Sequence, residues 1–398
     1  MQANVLAFAG SEKSRSSTSG RTHDHIALAD AFRVCAIAAV VASHIVGYSN
    51  LTIGEAPVPL SYLGDIGVDI FFVLSGYLIG GPYVRAILND APLPNARLFA
   101  LRRFFRIYPL YLFAVIVTAF SVLHQSGLHS AAAYVVTHAT FLHGFMNGEI
   151  LLCDGPLWTM AVDAQFYVCL PIVAFVVARV LRGRPRHERI FGLALSLAAW
   201  IPISLAFRFA MLHRLAPPYE FQSVAILDRN VIGVGSNFAL GAGLTLLVAL
   251  GPRPTRSFSI GMLFLGAIFV LAAIVANPES RTAWAVVVGD LLGGLATATI
   301  FYALAEGFPA TARACGTPLV IAAAELAYAI YLFHYPILGV IKTHLHIPGG
   351  PGSTVYFLAF GLIEIGLILP IAWLTHRFIE RPFLQLRDRS REPIARLS

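Results

Sequence analysis

The stretch "AAAYVVTHATFLHGFM", residues 131–146, decides the topology of all the helices after it. It is apolar but carries two histidines, and it falls short of the about 20 helical residues needed to cross a hydrocarbon core. Around it lie ten longer apolar runs, near 26–47, 61–81, 104–123, 157–181, 188–211, 230–250, 257–276, 283–306, 318–341 and 353–376. If 131–146 does not cross, the loops on one side of the membrane hold 22 of the 28 Lys and Arg residues. If it does cross, the basic loop "RVLRGRPRHER" falls on the outside, against the positive-inside bias. The stretch therefore reads as re-entrant or as lying at the outer surface. The chain reads as an all-α polytopic membrane protein of about ten transmembrane helices, with both termini cytoplasmic.

Composition agrees with that reading. Of the 398 residues 57% are hydrophobic and only 12% charged, with a mean hydropathy of +0.73, whereas soluble domains are about a quarter charged. The net charge of +7 is spread in short clusters between apolar runs, so it marks cytoplasmic loops facing a lipid bilayer and excludes nucleic acid as a partner. Cys35, Cys153, Cys169 and Cys315 lie far apart and give neither a zinc spacing nor a disulfide framework. His344 and His346 share a Gly/Pro loop without further ligands, so no metal is expected. Residues 1–25 are Ser-rich and lack the apolar core of a signal peptide, which predicts a disordered cytoplasmic tail. A single membrane domain is expected over 26–384, followed by a short cytoplasmic tail at 385–398.

Charged and polar side chains inside the spans mark the chemistry, because a charge at bilayer depth is costly and usually faces a protein interior or a wet cavity. Arg33 and His44 in "FRVCAIAAVVASHIVGYSN" are eleven positions apart, about 16 Å along one helix face. Both are expected to look into one cavity, with Arg33 near its cytoplasmic mouth. The plainer alternative has Arg33 snorkelling to headgroups and His44 bonding a neighbouring helix. In "LFALRRFFRIYPLYL", Arg102 and Arg106 are i,i+4 neighbours beside Arg103, and guanidinium forks suit phosphate oxygens, although such residues also anchor any helix at the inner surface. "GPLWTMAVDAQFYVCLPIV" places Asp163 and Gln165 in an apolar setting, where a carboxylate can orient a histidine and a structural ion pair is the alternative. "AELAYAIYLFHYPIL" adds Glu325, Tyr328, Tyr331 and His334, the last in the outer half of its helix. Glu380 is expected to pair with Arg381, and Ser75, inside a helix, does not read as a nucleophile.

Taken together, these blocks resemble the acyltransferase-3 family of integral membrane acyltransferases. The likeness rests on the Arg33/His44 pair, "GVDIFFVLSGYLI", "RRFFRIYPLYL", "LWTMAVDAQFY", "YAIYLFHYP" and the closing "IERPF", in order over roughly 26–384. Two departures stand out: Asp163 occupies a position where members usually have Glu, and "AFRV" replaces a Gly-Leu-Arg-Gly run. The resemblance implies transfer of an acyl group, most often acetyl, from a cytoplasmic acyl-CoA to a hydroxyl of a carbohydrate, glycolipid or secondary metabolite at the inner (plasma) membrane. Acyl-CoA is then a donor substrate, and no cofactor is expected. Its phosphates would meet Arg102, Arg103 and Arg106, its arm would pass Arg33, and His44 would act as general base with Asp163 behind it. Gln165 and His334 would face the acceptor. An acyl-His44 intermediate is the mechanistic alternative. A membrane transporter or a non-enzymatic component of a polysaccharide-assembly complex are the competing functions.

Overall fold

The structure, a computed structural model, describes residues 2–53, 56–57, 63–145, 155–213, 230–251, 253–276 and 283–389. Cys153 lies outside them. Helix α1 is Gln2–Ser49, and a short antiparallel ladder joins β1 (Thr52–Ile53) to β2 (Ala56–Pro57). Then come α2 (Leu63–Leu88), α3 (Ala96–Ala139), α4 (Trp158–Leu181), α5 (Arg186–Leu212), α6 (Gly235–Leu250), α7 (Arg256–Ala276), α8 (Trp284–Gly307), the short α9 (Pro309–Ala314), α10 (Pro318–His344) and α11 (Thr354–Arg387).

Among the described residues nine helices are long and apolar enough to cross a membrane, the first over Asp24–Ser49. Helix α6 is the tenth apolar helix expected from the sequence, but with 16 residues it is about 24 Å long, short of a full hydrocarbon core.

Over its described residues, 131–145, the stretch does not continue α3 as a straight span. Helix α3 breaks at Gly127, whose φ of 82° and ψ of 176° no side-chain-bearing residue adopts without strain. Beyond the break the chain doubles back along its own first limb. The Tyr111 hydroxyl donates to the His138 carbonyl at 2.9 Å, the Tyr108 hydroxyl donates to the Ala139 carbonyl at 3.2 Å, and Phe141 stacks on Tyr111. Tyr134, His138 and His143 stack in turn and are buried. This segment is therefore a re-entrant limb, described as far as the turn Leu142–Phe145.

Two sets of close contacts hold the helices in place. Helices α1, α3, α10 and α11 share one apolar cluster around Tyr111, Leu338 and Phe360. Helices α2 and α6 meet backbone to backbone: a Cβ on Gly241 would strike the Val73 carbonyl, and one on Gly76 would strike the Phe238 carbonyl. Small residues permit this approach, as at other membrane helix interfaces. It brings Asn237 to donate to the buried Asp69 at 2.6 Å, while Gly293 and Gly294 of α8 leave room for both side chains. Arg208 is not a helix-end charge. It is buried, pairs with Asp290, and donates to the carbonyls of Gly233 and Val286 at 2.8 and 2.7 Å.

Gly241→Val is expected to lower the midpoint of thermal unfolding in detergent, by overpacking worth about 1–3 kcal/mol. Gly243→Ala, whose added Cβ meets nothing within 4 Å, should leave the midpoint unchanged.

Candidate functional site

Four helix faces converge on a cavity of about 160 Å³. Helix α1 contributes Arg33; α3 contributes Arg103 and Arg106; α4 contributes Thr159, Asp163 and Tyr167; α10 contributes Tyr328 and Tyr331. Each set has helical spacing: i,i+3 on α3 and α10, and i,i+4,i+8 on α4. Helix α2 closes the apolar side with Val68, Phe71, Phe72 and Ile79, and also presents Ser75.

The arginines differ in their partners. Arg33 is bound to Asp30 one turn earlier at 2.6 Å. Arg106 pairs with Glu380, which also takes a hydrogen bond from His376 Nδ1 at 2.9 Å. Arg103 forms no ion pair among the described residues; its guanidinium lies over the Phe99 ring at 5.9 Å, and its Nε is buried without a hydrogen-bond partner there. Arg102 does not line the cavity, so the face that matters on α3 is Arg103/Arg106 rather than Arg102/Arg106. Glu380 turns to Arg106 instead of Arg381 because His376–Glu380 forms a π-turn, whose extra residue rotates the next side chains relative to an α-helix.

Asp163 sits in this cavity, interacting with Tyr167 and Arg103, and its Oδ1 has no hydrogen-bond partner among the described residues. Among the described residues no hydrogen bond or ion pair joins it to His44. Gln165 points elsewhere: its Oε1 accepts from the Val231 amide at 2.9 Å and braces the chain before α6. Glu325 is exposed.

His44 instead meets His334, 290 residues away, with His334 Nε2 at 3.2 Å from His44 Nδ1. His334 is fully buried, and its Nδ1 faces two carbonyls, Ile330 at 3.1 Å and Tyr331 at 2.9 Å. Only a protonated Nδ1 can serve carbonyl oxygens, so in the neutral ring Nε2 is an acceptor. His44 Nδ1 then carries its own proton, shared between His334 Nε2 and the Val40 carbonyl at 2.9 Å. These contacts leave His44 Nε2 bare, a lone pair available to a proton. Tyr335 packs edge-on against His44 at 5.2 Å, and Gly155, at φ 44°, lies directly against the Tyr335 ring.

The arginine cavity and the histidine pair are neighbours separated by Tyr331. Its ring lines the cavity and lies 6.0 Å from His334, and its hydroxyl is held by Thr159 Oγ1 at 2.8 Å and the Pro156 carbonyl at 3.0 Å. Of the two residues expected to share a cavity, Arg33 lines the one described here and His44 does not; Tyr331, one turn before His334, lies between them. Thr159 is the residue that sequence reasoning passed over, and spacing could have found it, four positions before Asp163. Among the described residues no group of three or more His, Cys, Asp or Glu side chains could hold a metal ion.

Residues 26–376 match a family described as an acyltransferase domain, acyltransferase 3. The chain is 26% identical over 392 residues to the peptidoglycan O-acetyltransferase OatA of Listeria monocytogenes, covering 89% of this chain and 55% of that one. It is 23% identical over 354 residues to the O-acetyltransferase OatA of Staphylococcus aureus, covering 80% and 52%. The chain therefore spans about half the length of the curated relatives it matches. No solved structure matches it.

Glu380 is 1% exposed and answers Arg106 from within the protein. Glu380→Gln is expected to cost about 1.5–3 kcal/mol by weakening a charge-assisted bond between the buried Glu380 and the half-buried Arg106 guanidinium. Thermal unfolding in detergent measures the loss.

Proposed function

The chain belongs to the acyltransferase-3 family, and from that premise we propose that it moves an acetyl group from acetyl-CoA to a hydroxyl of a carbohydrate. The peptidoglycan named for the Listeria relative supports a saccharide polymer as the acceptor class. The positive-inside bias supports a cytoplasmic side for the arginine-rich ends of the helices, where acyl-CoA is found, and we take the protein to be a multi-pass enzyme of the plasma membrane.

The observation that carries this reading is the histidine pair beside the arginine cavity. His44 Nε2 takes the proton of the acceptor hydroxyl as its oxygen attacks the thioester carbonyl. The C–S bond then breaks, and the departing thiolate recovers the proton from the imidazolium. Over the whole cycle the hydroxyl proton passes to the thiol, and no proton is left over. His334 takes the supporting role expected of Asp163: its Nε2 accepts the His44 Nδ1–H and steadies the ring while it is charged. Direct transfer requires the thioester to pass Tyr331, so turning of that ring belongs to the cycle.

The Arg208–Asp290 pair, which a transporter would use as a relay, is tied by two backbone carbonyls and serves as a clamp between α5 and α8.

In membrane vesicles supplied with labelled acetyl-CoA and a saccharide acceptor, His44→Ala should reduce transfer by about 10²–10⁴-fold, with thermal unfolding unchanged. Turnover within twofold of the parent protein would rule out the base role. His334→Gln keeps an acceptor oxygen for the His44 Nδ1–H and should retain more activity than His334→Ala.

A further inference from the structure

We infer that a second cavity, at the lipid-facing edge of the bundle, seats one anionic phospholipid, with the lipid phosphate on Arg179 and Arg182 and an acyl chain over Phe175. The cavity measures about 390 Å³ and shares no lining residue with the chamber around Arg33 and Arg103. One wall is the end of α4; the other is the end of α2 with the loop that leads to α3. That loop is already fixed in place. The Asp90 carboxylate accepts from the Gly183 amide at 3.2 Å, and Arg189 approaches the same carboxylate at 3.7 Å while donating to the Leu88 carbonyl at 3.1 Å. The amides of Asp90 and Ala91 close back on the carbonyls of Ile87 and Ala86 at 3.2 and 2.9 Å.

The first ground is the charge left over. The stretch "RVLRGRPRHER" brings five arginines and one glutamate to this side. Arg184 is taken by Glu188 at 3.1 Å, and Arg189 by Asp90 and the Leu88 carbonyl. Arg179 and Arg182, which line the cavity, form no hydrogen bond or ion pair among the described residues. Asp90, the acid in the lining, is already answered by Gly183 and Arg189. Two guanidinium forks are thus left over, and such forks suit phosphate oxygens.

The second ground is the order of polarity. Phe175, Ala178, Arg179 and Arg182 all line the cavity, and their i,i+3,i+4,i+7 spacing is that of one helix face. Phe175 lies about 6 Å further into the span than Arg179 and about 10 Å further than Arg182. It is 61% exposed, as a side chain turned to hydrocarbon would be. Ile87 and Leu93 continue the apolar part on the opposite wall. Hydrocarbon below and guanidiniums at the helix end match the two ends of a phospholipid standing in its leaflet. A soluble phosphate compound would meet the arginines and gain nothing from Phe175. A lipid held there bridges α4 to the loop that starts α3, and so braces two of the helices that carry Arg103 and Asp163.

The test titrates the full-length protein in neutral detergent with phosphatidylglycerol, phosphatidylcholine or glycerol phosphate, and counts bound molecules by native mass spectrometry. The parent should bind one phosphatidylglycerol about tenfold more tightly than phosphatidylcholine. Arg179→Gln and Arg182→Gln should each weaken phosphatidylglycerol about fivefold and leave phosphatidylcholine within about twofold. Arg186→Gln removes the same charge from the same side but outside the cavity, and should change neither lipid. Phe175→Ala should weaken both lipids by the same factor, because it touches the chain and not the headgroup. All four side chains are exposed, so unfolding midpoints without added lipid should match the parent. Equal binding of the two lipids by the parent, or equal losses in Arg186→Gln and Arg182→Gln, would leave only a diffuse basic surface and overturn the seat. Displacement of phosphatidylglycerol by an equal concentration of glycerol phosphate would make the cavity a site for free phosphate compounds and overturn the lipid as its occupant.

Discussion

A charge carried into an apolar interior has to find its counter-charge there, and that constraint arranges this bundle more than any other. Arg106 and Glu380 tie α3 to the end of α11 across 274 residues of sequence. Arg208 and Asp290 tie α5 to α8, and Asp69 with Asn237 ties α2 to α6 beneath a pair of α8 glycines. Helix packing in lipid lacks the hydrophobic drive available in water, so such contacts select which helices stand side by side. Among the described residues that line the cavity, Arg103 Nε and Asp163 Oδ1 are buried without a hydrogen-bond partner.

Among the described residues three π-turns each present a buried polar group. Gly76–Gly80 holds Tyr77, and Ala303–Gly307 holds Glu306; the two meet on opposite nitrogens of His25, at 2.8 and 3.0 Å. His376–Glu380 holds Glu380 against Arg106. An inserted residue widens one turn and redirects the side chains beyond it, a device found mostly at functional sites. It lets a helix with an apolar, lipid-facing side swing a single acid inward without changing course.

These turns also mark where sequence reasoning stops. The apolar runs, the re-entrant limb and the glycine that turns it are legible because loop charge and length are one-dimensional quantities. Arg33, Arg103, Arg106, Asp163, His44 and His334 are recognisable as costly residues in apolar helices. Their partners are not. Periodicity assigns a side chain to a face but does not say which helix faces it, so it offers Asp163 to His44 when the residue beside that ring is His334. The i,i+4 rule favours Arg102 with Arg106, whereas packing of α3 against α4 and α10 turns Arg103 inward instead. Glu380 reads as the partner of its neighbour Arg381 because nothing in "THRFIERPF" announces a widened turn. Gln165, two positions from Asp163, points away from it, as side chains two apart on a helix must.

Tyr331, held by Thr159 and the Pro156 carbonyl, gives the charged chamber a blind end. With its hydroxyl held on both sides, that ring moves aside only at the cost of two hydrogen bonds, so whatever joins the guanidiniums to the imidazoles has to make up for both.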